Sequence, residues 1–205
     1  MTQSPEEHHP DLEALRAAIG SGDPLQAMPA ITQLRFCSAE EAVPLLVLGT
    51  EQTPFLVRSL SCSGLGYKQS EAGWTVLSRL VQADADPNVR AEAANALVSY
   101  GAERAWSLLK TVFTLDQAWL VRCSILSAYA EQQEIDLTWL YELAQVAITD
   151  ADGTVRVGGA ELLGRLVRES SVGEELRAAA RSLLQPLQQD GDHRVVAAAL
   201  NGLQA

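Results

Sequence analysis

The sequence predicts an all-α fold, an α–α superhelix of about six helical hairpins, and three observations carry the prediction. A marker valine recurs at Val57, Val89, Val121, Val155 and Val195, with successive gaps of 32, 32, 34 and 40 residues. Eight residues after each marker stands a large apolar side chain: Leu65, Leu97, Tyr129, Leu163 and Leu203. Four after it stands a mostly small one: Ser61, Ala93, Ile125, Gly159 and Ala199. Offsets of four and eight share one helix face. Finally, each marked helix follows another apolar-periodic stretch. The unit is therefore helix A, a turn, then helix B. One such hairpin cannot bury its apolar face alone, whereas stacked neighbours can.

The elements follow in order. Residues 1–9 are polar and read as a flexible tail, leaving 10–205 as a single repeat domain. A weaker first copy begins at Asp23-Pro24 and places Leu34 in the large apolar column. The A helices are expected at about 40–49, 71–83, 103–114, 137–149 and 174–189. Glu40-Glu41 and Glu174-Glu175 open two of them, where carboxylates suit the helix dipole. Asp86, Asp152 and Asp192 stand where B-helix N-caps belong, with Pro87 at the first helical position. Gly158-Gly159 lies inside the fourth marked helix. Glycine there costs about 1 kcal/mol against alanine, so a close helix crossing is expected, with a hinge as the other reading. The stretch Arg168 to Glu174 lengthens the last gap and reads as a surface loop.

Composition narrows the partners. With 15 Lys and Arg against 26 Asp and Glu, the formal net charge is −11. Nucleic acid is a poor match, because phosphate neutralisation needs clustered cations. Basic or neutral protein surfaces remain. No apolar run approaches the roughly 20 residues of a membrane span. The N-terminus lacks a basic signal-peptide region, which makes the cytoplasm the expected compartment. Three widely spaced cysteines, Cys37, Cys62 and Cys123, argue against a disulfide framework. With His193 isolated and His8-His9 in the tail, no metal site is expected. No nucleophile triad, phosphate loop or dinucleotide fingerprint is present, so no catalytic residue is assigned.

The pattern Asp-Pro-x-Val-Arg followed by Ala-x-Ala-Leu-type spacing is carried by Asp86–Gly101, then Asp152–Leu166 and Asp192–Leu203. It resembles the short HEAT-like repeats first noted in phycobilisome lyases, over roughly residues 23–203. Ala118 in the Asp column and Val196 in the Arg column depart from it. Among short proteins of this style, the chain is similar to cyanobacterial proteins that attach or remove bilins, and to a phycobilisome-degradation factor. The resemblance implies a non-enzymatic protein-binding scaffold acting on phycobiliproteins or the phycobilisome. The alternative it implies is a phycobilin lyase or bilin chaperone, with a bilin as transient ligand and another HEAT-repeat subunit as partner.

Candidate residues follow from the columns. Arg58, Arg90, Arg122 and Arg156 recur on successive B helices, which line the concave side in HEAT proteins. One reading is an anion-binding stripe, since arginine presents a bidentate fork to carboxylates. The other is a ladder pairing each arginine with an Asp or backbone carbonyl of a neighbouring hairpin. Trp74, Trp106 and Trp139 form an A-helix aromatic column, either inter-repeat core or an exposed strip for a partner or tetrapyrrole. Trp119, at a helix start beside the A–B turn, is the expected partner-facing aromatic. Cys62 and Cys123 replace alanines of sibling repeats and read as small buried thiols; a bilin-carrying thiol would need exposure and a depressed pKa.

Overall fold

The computed structural model describes residues 10–204, which hold twelve α-helices, one 3-10 turn and no strand. The tail expected at residues 1–9 lies outside the described residues. The chain divides at Tyr100–Gly101 into two compact units. The first holds three hairpins: α1 (Leu12–Gly20) with α2 (Pro24–Gln33), α3 (Ala39–Thr50) with α4 (Phe55–Tyr67), and α5 (Glu71–Ala83) with α6 (Pro87–Val98). The second holds α7 (Ala102–Leu115) with α8 (Trp119–Ala130), α9 (Leu137–Ala147) with α10 (Gly153–Arg168), and α11 (Glu174–Leu187) with α12 (His193–Leu203). In the first unit α1, α3 and α5 form one layer and α2, α4 and α6 the other; α7, α9, α11 and α8, α10, α12 repeat the arrangement in the second. This is the all-α repeat architecture that the periodicity predicts, and the five expected A helices agree to within two residues at each end.

The columns form the core. All five marker valines are fully buried, as are Leu65, Leu97, Tyr129 and Leu163 and the small column at Ser61, Ala93, Ile125 and Ala199. Each buried valine is worth about 1.5–3 kcal/mol of apolar transfer. Tyr129 replaces leucine because its hydroxyl finds an acceptor, donating to the Ala102 carbonyl at 3.1 Å. Leu203 is only half-buried.

Three B helices start at the predicted N-caps, and α2 starts in the same way at Asp23. Asp23, Asp86, Asp152 and Asp192 accept the amides of Leu25, Asn88, Thr154 and Arg194. Such caps contribute about 1 kcal/mol each. The Gly158-Gly159 pair is a close crossing: a Cβ on Gly159 would lie 2.8 Å from Ala147 Cβ and 3.0 Å from the Ile148 nitrogen. Helix α10 runs unbroken through both glycines. The loop expected at Arg168–Glu174 is pinned rather than loose. Val172 is buried, and the Arg177 guanidinium donates to the carbonyls of Glu169 and Val172.

Candidate functional site

The arginine column forms rungs. Arg58 Nε and Nη2 donate to Asp84 at 2.8 and 2.9 Å. Arg122 donates to Asp150 at 2.7 and 2.8 Å, and Arg156 to Asp190 at 2.9 Å through both nitrogens. The third donor of each fork turns to its own A–B turn, reaching the carbonyls of Gln52 and Thr53, Asp116, and Asp150 and Ala151 respectively. Arg90 donates to the carbonyls of Asp84 and Ala85. Each rung aspartate also accepts the amide two residues later, on Asp86, Asp152 and Asp192. One carboxylate thus closes its own turn and receives the fork from the preceding hairpin.

Arg58, Arg122 and Arg156 stand in the ladder arrangement. Arg122 and Asp150 are 13% and 11% exposed, and the other rungs are similar. The Nε and Nη2 edges of Arg58, Arg122 and Arg156 are thus committed to Asp84, Asp150 and Asp190. The cap aspartates were legible in the sequence; the rung aspartates Asp84, Asp150 and Asp190 were missed, although an Asp-x-Asp pattern recurs at all three. Hydrogen bonds from Arg156 hold the Asp190 carboxyl below the usual carboxylate range. Burial pushes Asp84 the other way, but the Arg58 hydrogen bonds, the Asp86 amide and nearby positive charge outweigh it and keep that carboxyl low as well.

Within each unit the column tryptophans pack against aromatic neighbours. Trp106 and Trp139 stack at 4.8 Å with planes 10° apart, and Tyr129 meets Trp106 edge-on at 5.4 Å. The Lys110 ammonium lies over Trp106 and bonds Glu142. Trp74 packs on Tyr100 at 5.7 Å. All three column tryptophans are half-buried, whereas Trp119 is 47% exposed at the first turn of α8. Cys62 is fully buried, and burial pushes its thiol up to about 12. Burial also raises half-buried Cys123, to about 11.

The B helices carry a feature that the columns alone did not reveal. Between α4 and α6, Gly66 faces Ala96, and a Cβ on Gly66 would lie 3.2 Å from Ala96 Cα. Between α10 and α12, Gly164 faces Gly202 at 2.9 Å by the same measure. Those residues stand one after the large apolar column on the first helix and one before it on the second. The same two places hold Arg35, in the 3-10 turn Leu34–Phe36 that follows α2, and Gly64 on α4, and Ala130 and Leu162 on α8 and α10. One member is bulky there, and an open groove results. The α2/α4 groove encloses about 360 Å³ over Ile31, Leu34, Leu46 and Leu60; the α8/α10 groove about 220 Å³ over Leu126, Val157 and Leu162. A cation closes the end of each. Lys68 Nζ donates to the carbonyls of Arg35 and Cys37, and Arg165 to those of Ala130 and Gln132. These acceptors occupy equivalent places near the end of the preceding B helix, where carbonyls lack helical partners.

Comparison with known proteins bears on this architecture. Residues 43–130 match the family model of HEAT repeats. The matched segment runs from within α3 to the end of α8. Comparison with curated proteins by sequence finds no match. Among solved structures, Escherichia coli YibA is similar with 16% identity and a TM-score of 0.68, over 99% of this chain and 76% of that one. A designed armadillo repeat protein in complex with the peptide (KR)4 is similar with 18% identity and a TM-score of 0.61, covering 95% of this chain and 99% of that one. Human deoxyhypusine hydroxylase in complex with glycerol shares 16% identity, with a TM-score of 0.50 over 94% and 96%. At these identities the likeness is one of fold, the HEAT and armadillo repeat architecture. No helix among the described residues is long and apolar enough to cross a membrane.

Proposed function

We propose that this chain is a non-enzymatic protein-binding scaffold whose grooves between successive B helices receive side chains of a partner. The observation that carries the reading is the recurrence of one groove design, apolar floor and cation-closed end, at equivalent places in both units. Recurring apolar depressions on a rigid repeat surface suit the anchor side chains that dominate protein interfaces. Holding a peptide is what the designed armadillo neighbour does with (KR)4, and a partner segment would lie here in the same general sense. Exposed Trp119 adds an aromatic contact for the partner.

The test uses Leu60→Arg and Val157→Arg, one in each groove, both at half-buried positions. The wild-type chain is used to capture its partner from the source lysate. Capture should fall at least tenfold for one or both variants while their circular dichroism melts stay wild-type. Undiminished capture by both variants would remove the grooves from the function. Substituting Arg90 and Arg122 is a poorer test, because both hold turns together and their loss acts through stability.

The narrower reading, a phycobilisome assembly or degradation factor, is supported by the repeat style of Asp86–Gly101, Asp152–Leu166 and Asp192–Leu203. Binding to purified phycocyanin tests it directly. For the lyase alternative, Cys62 and Cys123 are poor bilin nucleophiles, since the reactive species is the thiolate and burial disfavours it in both. An unchanged visible spectrum of phycocyanobilin on mixing with the protein would set that alternative aside.

A further inference from the structure

Resting on the groove reading above, we propose that the α2/α4 groove recognises an acidic–apolar protein segment, in which an apolar side chain enters the groove and a neighbouring carboxylate meets Arg35. The residue following the large apolar column is Gly66, Val98, Ala130 and Gly164 on α4, α6, α8 and α10. After Leu34 it is arginine. Arg35 is exposed, and no carboxylate among the described residues pairs with it, although the chain carries 26 acidic side chains. Its guanidinium lies 4.4 Å from the centroid of the Phe36 ring. Stacking of that kind uses the flat face of the guanidinium and leaves its N–H edges for a planar acceptor. Phe36 is 67% exposed and Tyr67, lining the same groove, 86%. The rim therefore joins two exposed aromatics to a cation with an open fork, a combination enriched where proteins bind one another.

The floor selects for apolar matter. Leu34 and Leu46 are fully buried beneath it, and a Cβ on Gly64 would collide with Leu46, so glycine there lets that side chain reach the groove. Lys68 at the closed end carries a second positive charge whose hydrogen bonds go to neutral carbonyls. The two charged side chains that line this groove, Arg35 and Lys68, are thus opposite in sign to the net charge of −11. Screening decides which matters at contact: the Debye length is about 8 Å at 0.15 M salt. Distant carboxylates slow the approach of an acidic partner, while Arg35 and Lys68 govern its seating.

Fluorescence anisotropy with fluorescein-labelled dodecapeptides and the full chain tests the proposal. One peptide spaces leucine and phenylalanine with glutamate. A second replaces every glutamate by lysine, and a third replaces every apolar residue by serine. The first should bind at least tenfold tighter than either control. Arg35→Glu should weaken it at least tenfold, and Arg35→Gln by less. Because Arg35 is exposed, both variants should keep the wild-type melt. Equal or tighter binding of the lysine peptide, or indifference to Arg35→Glu, overturns the proposal. So does displacement of the first peptide by oleate at concentrations where the unlabelled peptide itself fails to compete, which would assign the groove to a lipid. If no peptide discriminates while Leu60→Arg still abolishes partner capture, the acidic–apolar assignment falls and the scaffold stands. If capture survives both groove variants, the scaffold reading itself fails.

Discussion

Arg122 shows what a single side chain does in this repeat. Two of its N–H donors go to a carboxylate of the next hairpin and a third to a carbonyl of its own turn, so one residue fixes both the turn and the step to the following hairpin. Removing it strands Asp150 in a part-buried place, and Arg122→Ala should cost about 3 kcal/mol in urea unfolding, as loss of one partner of a desolvated pair does. Arg122→Lys should recover little of that, because an ammonium cannot bridge both oxygens and the carbonyl at once. The same rungs set an acid limit. Asp84 and Asp190 have folded-state pKa values held below their unfolded ones, so their stabilisation is fully present above the ordinary carboxylate pKa and is lost as pH falls through the lowered value. The urea midpoint should therefore decline on acidification below about pH 4, and Asp84→Asn should flatten that decline while lowering the midpoint at neutral pH.

At the scale of helix pairs, small residues decide which B helices touch. Gly164→Ala places a methyl group 2.9 Å from Gly202 Cα. Backbone cannot yield as a flexible side chain does, so the variant should lose about 2 kcal/mol. Gly191→Ala, where an added Cβ meets nothing within 4 Å, should stay within about 0.5 kcal/mol of wild type. Differential scanning calorimetry of the two variants separates them. Helix pairing was legible from sequence where it depends on one chain segment: the Val and Leu columns name the buried faces, and Asp86, Asp152 and Asp192 name the helix starts. It was not legible where it depends on two segments meeting. Arg35 and Gly64, or Ala130 and Leu162, say nothing until α2 stands against α4 and α8 against α10. For the same reason the spacing that puts Trp74, Trp106 and Trp139 at one register does not reveal that Trp106 and Trp139 stack on each other.

Over the whole chain, stability and recognition draw on different residues. Marker valines, rungs and close glycine contacts hold each three-hairpin unit together, and groove linings, Arg35 and Trp119 remain for a partner. In repeat proteins interactions are mostly between neighbouring hairpins, so Gly164→Ala should raise amide exchange chiefly across residues 101–204, with residues 10–100 less affected. Binding should be tunable without loss of fold, because the groove residues that face solvent do not belong to the buried columns. Photo-crosslinking tests that division most directly. With benzoylphenylalanine placed at Ser63 or Ser127, on the α4 and α8 sides of the two grooves, and at Thr75 or Ser107 on the A helices, the groove positions should crosslink to the captured partner and the A-helix positions should not. Crosslinks confined to Thr75 and Ser107 would contradict the assignment of the B-helix grooves as the binding surface.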